Sequence, residues 1–350
     1  MSPPVMVAMS GGVDSSVAAA LLVEQGHQVV GVTLKLWGGT SDSGCCSVSD
    51  VDDARRVAQQ LGIEHHVFNF GEHFDRHVVE PYVDAHAAGR TPNPCIECNR
   101  HVKFERLVTR ARALGFDLVA TGHHAAIVPD ETVASADGEP VRRIGRGVDR
   151  AKDQSYVLHM LGQDQLRGLM LPIGHLTKEE VRAHARRLGL RTAAKPDSQD
   201  VCFITATGGR QVFLRDRMAL TPGRVIDGDG RAVGRVDAVE LVTIGQRKGL
   251  RAAGGGAPRY VTDIDLGTAT VTVGPRSDLF VERTAITDLG WSHLPSSGPF
   301  VVQVSAHGPT ASAVLEDDHL RWHEPHQRVA PGQSMVLYHD DQVMGGAVAA

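Results

Sequence analysis

The sequence predicts an α/β chain with an N-terminal parallel-sheet domain carrying a phosphate loop, a small β-rich central domain and a C-terminal β-barrel. Three observations carry that prediction. Strand-like apolar runs alternate with helical stretches through the first half, the pattern of βαβ units and a parallel sheet covered on both faces. A glycine-serine loop, Ser10-Gly11-Gly12-Val13-Asp14-Ser15-Ser16, joins the first strand to the first helix. Beyond about Gly223 helical periodicity fades, and short β-rich runs separated by turn residues take over. The boundaries read as 1–208, 209–282 and 283–350.

The elements follow in order. VMVAM, Val5 to Met9, is a short apolar strand that ends at the glycine turn. The next stretch, Asp14 to Gly26, has helical composition and stops at its glycine. QVVGVTLKL, Gln28 to Leu36, is β-rich. A helix begins near Ser49, an N-cap candidate, and ends at Gly62. EHHVFNF and FDLVATGHH are further strands. Ligands of such sheets sit at the carboxyl ends of the strands, which is where AMSGG and ATGHH fall. HLTKEEVRAHARRLGL is a capped amphipathic helix. GRVIDGDGRAVGRV reads as a hairpin with Asp-Gly at its turn. RYVTDIDLGTATVTVG, PFVVQVSAHGPTASAVLE and GQSMVLYHDDQVMGGAV continue as short strands.

Composition narrows the function classes. At 350 residues, with 42% hydrophobic and 22% charged, the chain has the material of a multidomain globular protein. No apolar run approaches the ~20 residues of a membrane span, and the first residues lack the pattern of a signal peptide. A cytoplasmic, membrane-free, monomeric protein is expected. The formal net charge of −5 argues against indiscriminate coating of nucleic acid, while leaving room for a local basic face. RRIGRGVDRAK and GQRKG are the stretches that such a face would use.

The glycine loop carries the first piece of chemistry. Glycines let backbone N–H groups approach an anion, serines add hydroxyl donors, and a helix N-terminus favours negative charge. A Walker loop would add a lysine for the β- and γ-phosphates, and none is present here. Five cysteines carry the second: Cys45, Cys46, Cys95, Cys98 and Cys202. A thiolate is a strong nucleophile and can carry a second sulfur as a persulfide. Arg100 and Lys103, close to Cys98 in sequence, would favour its thiolate. A structural zinc site shared by the two cysteine pairs fits poorly, because adjacent cysteines do not suit one tetrahedral ion.

The string Ser-Gly-Gly-x-Asp-Ser resembles the PP-loop of the N-type ATP pyrophosphatases, an adenine nucleotide alpha hydrolase-like fold. That resemblance implies cleavage between the α- and β-phosphates, with Mg²⁺ bridging the phosphates, Asp14 near its shell, and AMP passing to a substrate oxygen. Taken in order, MSGGVDSSVAA, GRTPNPCIECNRHVKF, ATGHH, KDQSYVL, KPDSQDVCFI, TIGQRKGL and PGQSMVLY resemble the bacterial tRNA-specific 2-thiouridylases, the MnmA/TrmU family, from Ala8 to Tyr338. The resemblance implies adenylation of O2 of the wobble uridine in tRNAs for Lys, Glu and Gln, then replacement of that oxygen by sulfur from a cysteine desulfurase or a sulfur-relay protein. It implies ATP contacts at Ala8, Met9, Ser10, Gly11, Gly12, Val13, Asp14, Ser15, Leu34 and Gly122. Cys98 matches the nucleophile and Cys202 the persulfide carrier, and a disulfide bond is among the family's features. Asn93, Pro94 and Cys95 match the segment that meets the flipped-out base. His123, Lys152, Asp153, Gln154 and Gln333 match tRNA contacts.

Two departures from the family pattern stand out. Cys95 occupies a position where many members have Asp, so Cys95, Cys98 and Cys202 also make a candidate ligand set for a 4Fe-4S cluster. Persulfide and cluster routes both stay open on the sequence. In the C-terminal domain, Ser305, Ala306 and His307 stand where the family often has an Arg-Tyr-Arg segment touching tRNA, and no role follows for them. Two rival readings share part of the pattern: a small-molecule PP-loop ligase or amidotransferase, and a non-catalytic RNA-binding protein. Neither requires NPCIEC and DVCFI together with an intact loop.

Overall fold

The computed structural model describes residues 3–36, 48–134, 138–197, 201–205, 209–250 and 257–350. Cys45, Cys46 and most of the Ala252–Arg259 loop lie outside the described residues.

Strand β1 (Val5–Ala8) is fully apolar and runs parallel to β2 (Val29–Lys35) and β4 (Leu118–Thr121). β3 (Glu64–Asn69) adds beside β2. Two further strands, β5 (Ala125–Ala134) and β6 (Pro140–Arg146), leave this sheet, and β7 (Leu169–Met170) completes it beside β4. The order β3-β2-β1-β4-β7 reverses direction between β1 and β4. In open parallel sheets that reversal leaves a crevice at the strand ends, and both the glycine loop and ATGHH open into it. Val5, Val7, Val17 and Leu22 bury one face of the sheet, and Met6, Val32, Val102 and Val119 bury the other. The second helix spans Val48–Leu61, so Ser49 lies inside it and is not its cap.

The central unit is a four-stranded sheet of β8 (Gly223–Asp227), β9 (Ala232–Val236), β10 (Tyr260–Asp265) and β11 (Thr270–Gly274). β8 and β9 form the expected hairpin. Its turn takes positive φ only at Gly230, so one glycine does the work that the pattern assigned to an Asp-Gly pair.

In the last unit, β12 (Phe280–Trp291), β13 (Pro299–Gln303), β14 (Thr310–Glu316), β15 (His319–Gln327), β16 (Ser334–His339) and β17 (Gln342–Ala349) follow the order β12-β15-β14-β13-β16-β17. Pairing of β12 with β17 closes the six strands into a barrel, which removes exposed edges. The hairpin β5–β6, from the first half of the chain, attaches to β17 through Gly145 and Gln342. One core accordingly mixes both halves: Ile96, Phe104 and Tyr156 pack with Val336 and Tyr338.

This docking corrects the reading of RRIGRGVDRAK as a phosphate-gripping face. Arg143 is buried and donates to Asp130 at 2.9 Å and to Ser292 at 2.9 Å. Arg146 donates to Asp153 at 3.0 Å and to Gln303 at 2.7 Å, with its guanidinium 3.8 Å from the Tyr338 ring centre. Arg150 pairs with Asp341. These charges fasten the hairpin to the barrel. In GQRKG, by contrast, Arg247 and Lys248 are exposed.

Candidate active site

The glycine loop earns its residues one by one. Gly11 takes φ +73°, and a Cβ there would lie 2.2 Å from the Asp50 carbonyl oxygen, so no side chain fits. Gly12 precedes the helix Val13–Glu24 in extended conformation. Its carbonyl accepts the Ser16 hydroxyl at 2.7 Å, while the Ser10 N–H donates to the Ser15 hydroxyl at 3.1 Å. Lys195 ties the loop from outside, donating to the Gly11 carbonyl at 2.9 Å, to Asp50 at 2.6 Å and to Asp53 at 2.8 Å. Gly122 presses against the loop: a Cβ on it would meet the Ser15 nitrogen at 2.5 Å.

Above the loop lies a cavity of about 490 Å³, within the range of small-molecule sites. Ala8, Met9, Ser10, Gly12, Val13, Asp14 and Ser15 line it, with Leu34 and Gly122. All three cysteines, Cys95, Cys98 and Cys202, line the same space. So do Pro94, His123, Lys152, Asp153 and Gln154, and from the barrel Ala306 and His307. The sequence had given those last two no role, and the barrel loop brings them to the rim. Gly11 and Asn93 support the cavity without lining it: Asn93 caps the helical turn Pro94–Glu97 by accepting the Cys95 N–H at 3.0 Å.

Cys98 opens a π-helical stretch, Cys98–Arg106, a rare winding that is frequent at functional sites. Burial pushes its thiol up to about 12, against the opposing pull of Lys103 and with further upward pressure from Cys202 and Cys95. The thiolate expected from neighbouring Arg100 and Lys103 is therefore not the resting form. Arg100 spends its charge on Glu97 at 3.3 Å. Alkylation of Cys98 at pH 7 is expected to run at least ~10-fold slower than that of a free cysteine, and to accelerate as pH rises. Peptide mapping after timed exposure to iodoacetamide measures it. Cys202 starts the turn Cys202–Thr205, anchored by Phe203 against Phe74, Tyr82 and Phe213 with ring centres 5.0 to 5.8 Å apart. The preceding Val201 takes φ 54°, an unfavourable conformation for a β-branched residue.

Cys95, Cys98 and Cys202 form no disulfide among the described residues. Among the described residues, no three His, Cys, Asp or Glu side chains are grouped so as to hold a metal ion. Cys95, Cys98 and Cys202 line one cavity, so the three sulfurs that the sequence offers to a 4Fe-4S cluster face one space.

Several candidate tRNA contacts have partners inside the protein. Asp153 is buried and accepts from the Gly147 and Ser155 N–H groups, the Ser155 hydroxyl and Arg146. Gln154 accepts the His124 N–H at 2.9 Å. His123 is buried and bonded to Thr121 at 2.7 Å; burial holds its pKa well below the usual histidine range. Gln333 lies outside the cavity. It donates to the Thr91 carbonyl, while the Thr91 N–H donates to Pro331 at 2.7 Å. The barrel thus grips the segment that leads to Cys95.

Sequence reasoning named Asp14 but missed its partners Lys178 and His124 and the neighbouring Asp197. Asp14 accepts from Lys178 at 2.8 Å on each oxygen and faces His124 Nε2 at 3.2 Å. Burial alone would raise the Asp14 carboxyl, but the bonds from His124 and Lys178 outweigh it and hold it below the ordinary carboxylate range. Asp197 in turn pairs with Lys152, Lys178 and Arg182 at 2.7 to 2.9 Å.

A parallel sheet with a glycine loop of phosphate-binding form at its reversal point, opening on a cavity lined by three thiols, defines a nucleotide-using sulfur-chemistry enzyme. Comparison with known proteins narrows the class. The tRNA methyl transferase HUP domain model matches residues 3–206, the tRNA methyl transferase PRC-barrel domain model residues 211–275, and the aminomethyltransferase beta-barrel domain model residues 284–349. A tRNA-specific 2-thiouridylase MnmA of Roseiflexus castenholzii is 46% identical over 365 residues, 98% of each chain. One of Mycolicibacterium smegmatis is 48% identical over 352 residues, 96% of this chain and 95% of that one. The chain belongs to the MnmA family of tRNA-specific 2-thiouridylases.

Proposed function

We propose that the chain uses ATP to activate O2 of the wobble uridine in tRNAs for Lys, Glu and Gln and replaces that oxygen with sulfur. One observation carries this: a single cavity joins the anion-binding loop to three thiols. ATP binds across Ala8 to Ser15, with Leu34 and Gly122 against its adenosine part. When bound, Mg²⁺ would neutralise phosphate charge, and the Asp14 carboxylate beside the loop would hold it. The uridine O2 attacks the α-phosphorus and pyrophosphate leaves.

Cys202 carries the incoming sulfur as a persulfide. Its terminal sulfur attacks C2 of the adenylated base, and the C2–O bond breaks as AMP departs. Cys98 gives up its proton, attacks the Cys202 sulfur and breaks the S–S bond, whose electron pair stays on the sulfur at C2. The products are 2-thiouridine and a Cys98–Cys202 disulfide, which a thiol reductant reopens. The raised pKa of Cys98 suits this order, because a protonated thiol cannot discharge the persulfide early. Pro94 and Cys95, on the turn that Asn93 caps, face the flipped-out base, and His123, Lys152 and Gln154 shape its entrance. Asp153 and Gln333 act through the loops they hold.

The sulfur comes from a cysteine desulfurase or a relay protein, and the enzyme works as a cytoplasmic monomer of three units, 1–208, 209–282 and 283–350. No helix among the described residues is long and apolar enough to cross a membrane. The test is mass spectrometry of the wobble uridine after incubation with ATP, Mg²⁺, tRNA, a thiol reductant and a cysteine desulfurase with cysteine, which delivers sulfur already at the persulfide level. The expected result is 2-thiouridine with pyrophosphate release stimulated by tRNA. Stimulation by an amino acid instead would overturn the reading in favour of a small-molecule ligase, and tRNA binding without ATP use would favour a non-catalytic RNA-binding protein.

Gln333→Ala gives a separate check on the barrel's grip. Loss of the bond to Thr91 is expected to lower kcat for thiolation ~10-fold or more, since small misplacements near reacting groups are expensive. Rapid-quench assays should show pyrophosphate release less affected, because Gln333 bonds to the Thr91 segment and not to the ATP loop.

A further inference from the structure

The phosphate loop has no lysine of its own, yet Lys103, Lys152 and Lys178 line the cavity, and Lys178 is the one bonded to Asp14 of the loop. Its side chain is only 12% exposed. Its Nζ uses all three donors: 2.8 Å to each oxygen of Asp14 and 2.9 Å to Asp197. Asp14 belongs to the first turn of the loop helix, so the ammonium stands at the anion-binding end of that helix. Lys178 is also the first residue of its own helix, Lys178–Arg187. Cations are disfavoured there by the helix dipole, and the Thr177–Glu180 capping box already satisfies that terminus. Local helix physics therefore does not call for a lysine at this position.

We infer that Lys178 is a catalytic residue: its ammonium takes the place of the missing loop lysine and neutralises the oxygen that departs with pyrophosphate. This rests on the reading of the site as an adenylating one. When the uridine O2 bonds to the α-phosphorus, the bond from that phosphorus to the bridging oxygen breaks. Its electron pair stays on the bridging oxygen, and negative charge gathers there. Lys178 keeps its proton and exchanges a carboxylate partner for that oxygen. A preplaced cation stabilises such charge without reorganisation. Asp14 and Asp197 hold Nζ at the loop until the phosphates arrive.

A purely structural role is the competing account: Lys178 would only compensate Asp14 and Asp197. Four proteins separate the two: wild type, Lys178→Ala, Lys178→Arg, and Lys178→Ala combined with Asp197→Asn. Stopped-flow detection of pyrophosphate with saturating tRNA reads kcat and the KM for ATP. Lys178→Ala is expected to lose ~10²- to 10³-fold in kcat with a smaller change in KM at unchanged tRNA affinity, and to melt lower than wild type because Asp14 loses its partner. Lys178→Arg should recover part of the loss, because the charge is restored. The double variant should recover nothing. Full recovery in the double variant, or Lys178→Ala within about threefold of wild type, a difference under ~0.7 kcal/mol in barrier, overturns the inference. Should Lys178→Ala unfold, Lys178→Met keeps the stem and carries the same test. Failure of the adenylating reading looks different: the wild type itself would release no pyrophosphate with ATP and tRNA, and the inference would fall with it.

Discussion

Cys202→Ser is expected to abolish 2-thiouridine while leaving tRNA-dependent pyrophosphate release within ~3-fold of wild type, under ~0.7 kcal/mol in barrier. A hydroxyl cannot carry a persulfide, so the second half of the reaction loses its sulfur. The first half keeps its loop, because Cys202 belongs to a separate turn, fixed by Phe203 against Phe74, Tyr82 and Phe213. Serine is slightly smaller, and that aromatic anchor is untouched, so melting should barely move. Labelled pyrophosphate measured beside mass spectrometry of digested tRNA gives both readouts from one reaction. Thiolation at the wild-type rate would remove Cys202 from the sulfur path.

Gly122→Val is expected to fail in the opposite half. The Cβ alone would stand 2.5 Å from the Ser15 nitrogen and 2.7 Å from the Asp14 carbonyl carbon, and both neighbours are backbone. The loop helix must retreat, carrying its N–H groups away from the phosphates. A displacement of about 1 Å near reacting groups can lower a rate ~10²-fold, and overpacking lowers stability by ~1–3 kcal/mol. Pyrophosphate release should therefore fall ~10²-fold or more, with a measurable drop in melting temperature. Full activity in this variant would mean that β4 and the loop do not meet during the reaction.

What could be read from the chain followed locality. Ser10 to Ser15 declared themselves because a positive φ, a helix N-terminus and an anion site all sit within six residues. Cys95 and Cys98 were legible for the same reason, being one helical turn apart. Lys178 was not: it meets Asp14 across 164 residues of chain, and nothing local ties them. A lysine at the first position of a capped helix was the faint signal. The arginines near Arg143 were misread because their partners, Asp341, Ser292 and Gln303, lie far along the chain in the barrel. Lys103 was credited with activating Cys98, whereas burial, which a sequence does not display, outweighs it.

The shared core has a consequence for how the enzyme comes to life. Ile96 and Phe104 flank Cys98, and both rest on Val336 and Tyr338 of β16. A nascent chain halted before β16 would possess the glycine loop and every cysteine named above, but not the wall against which the Cys98 helix is set. Nucleotide activation and sulfur delivery are thus fitted together at the end of synthesis.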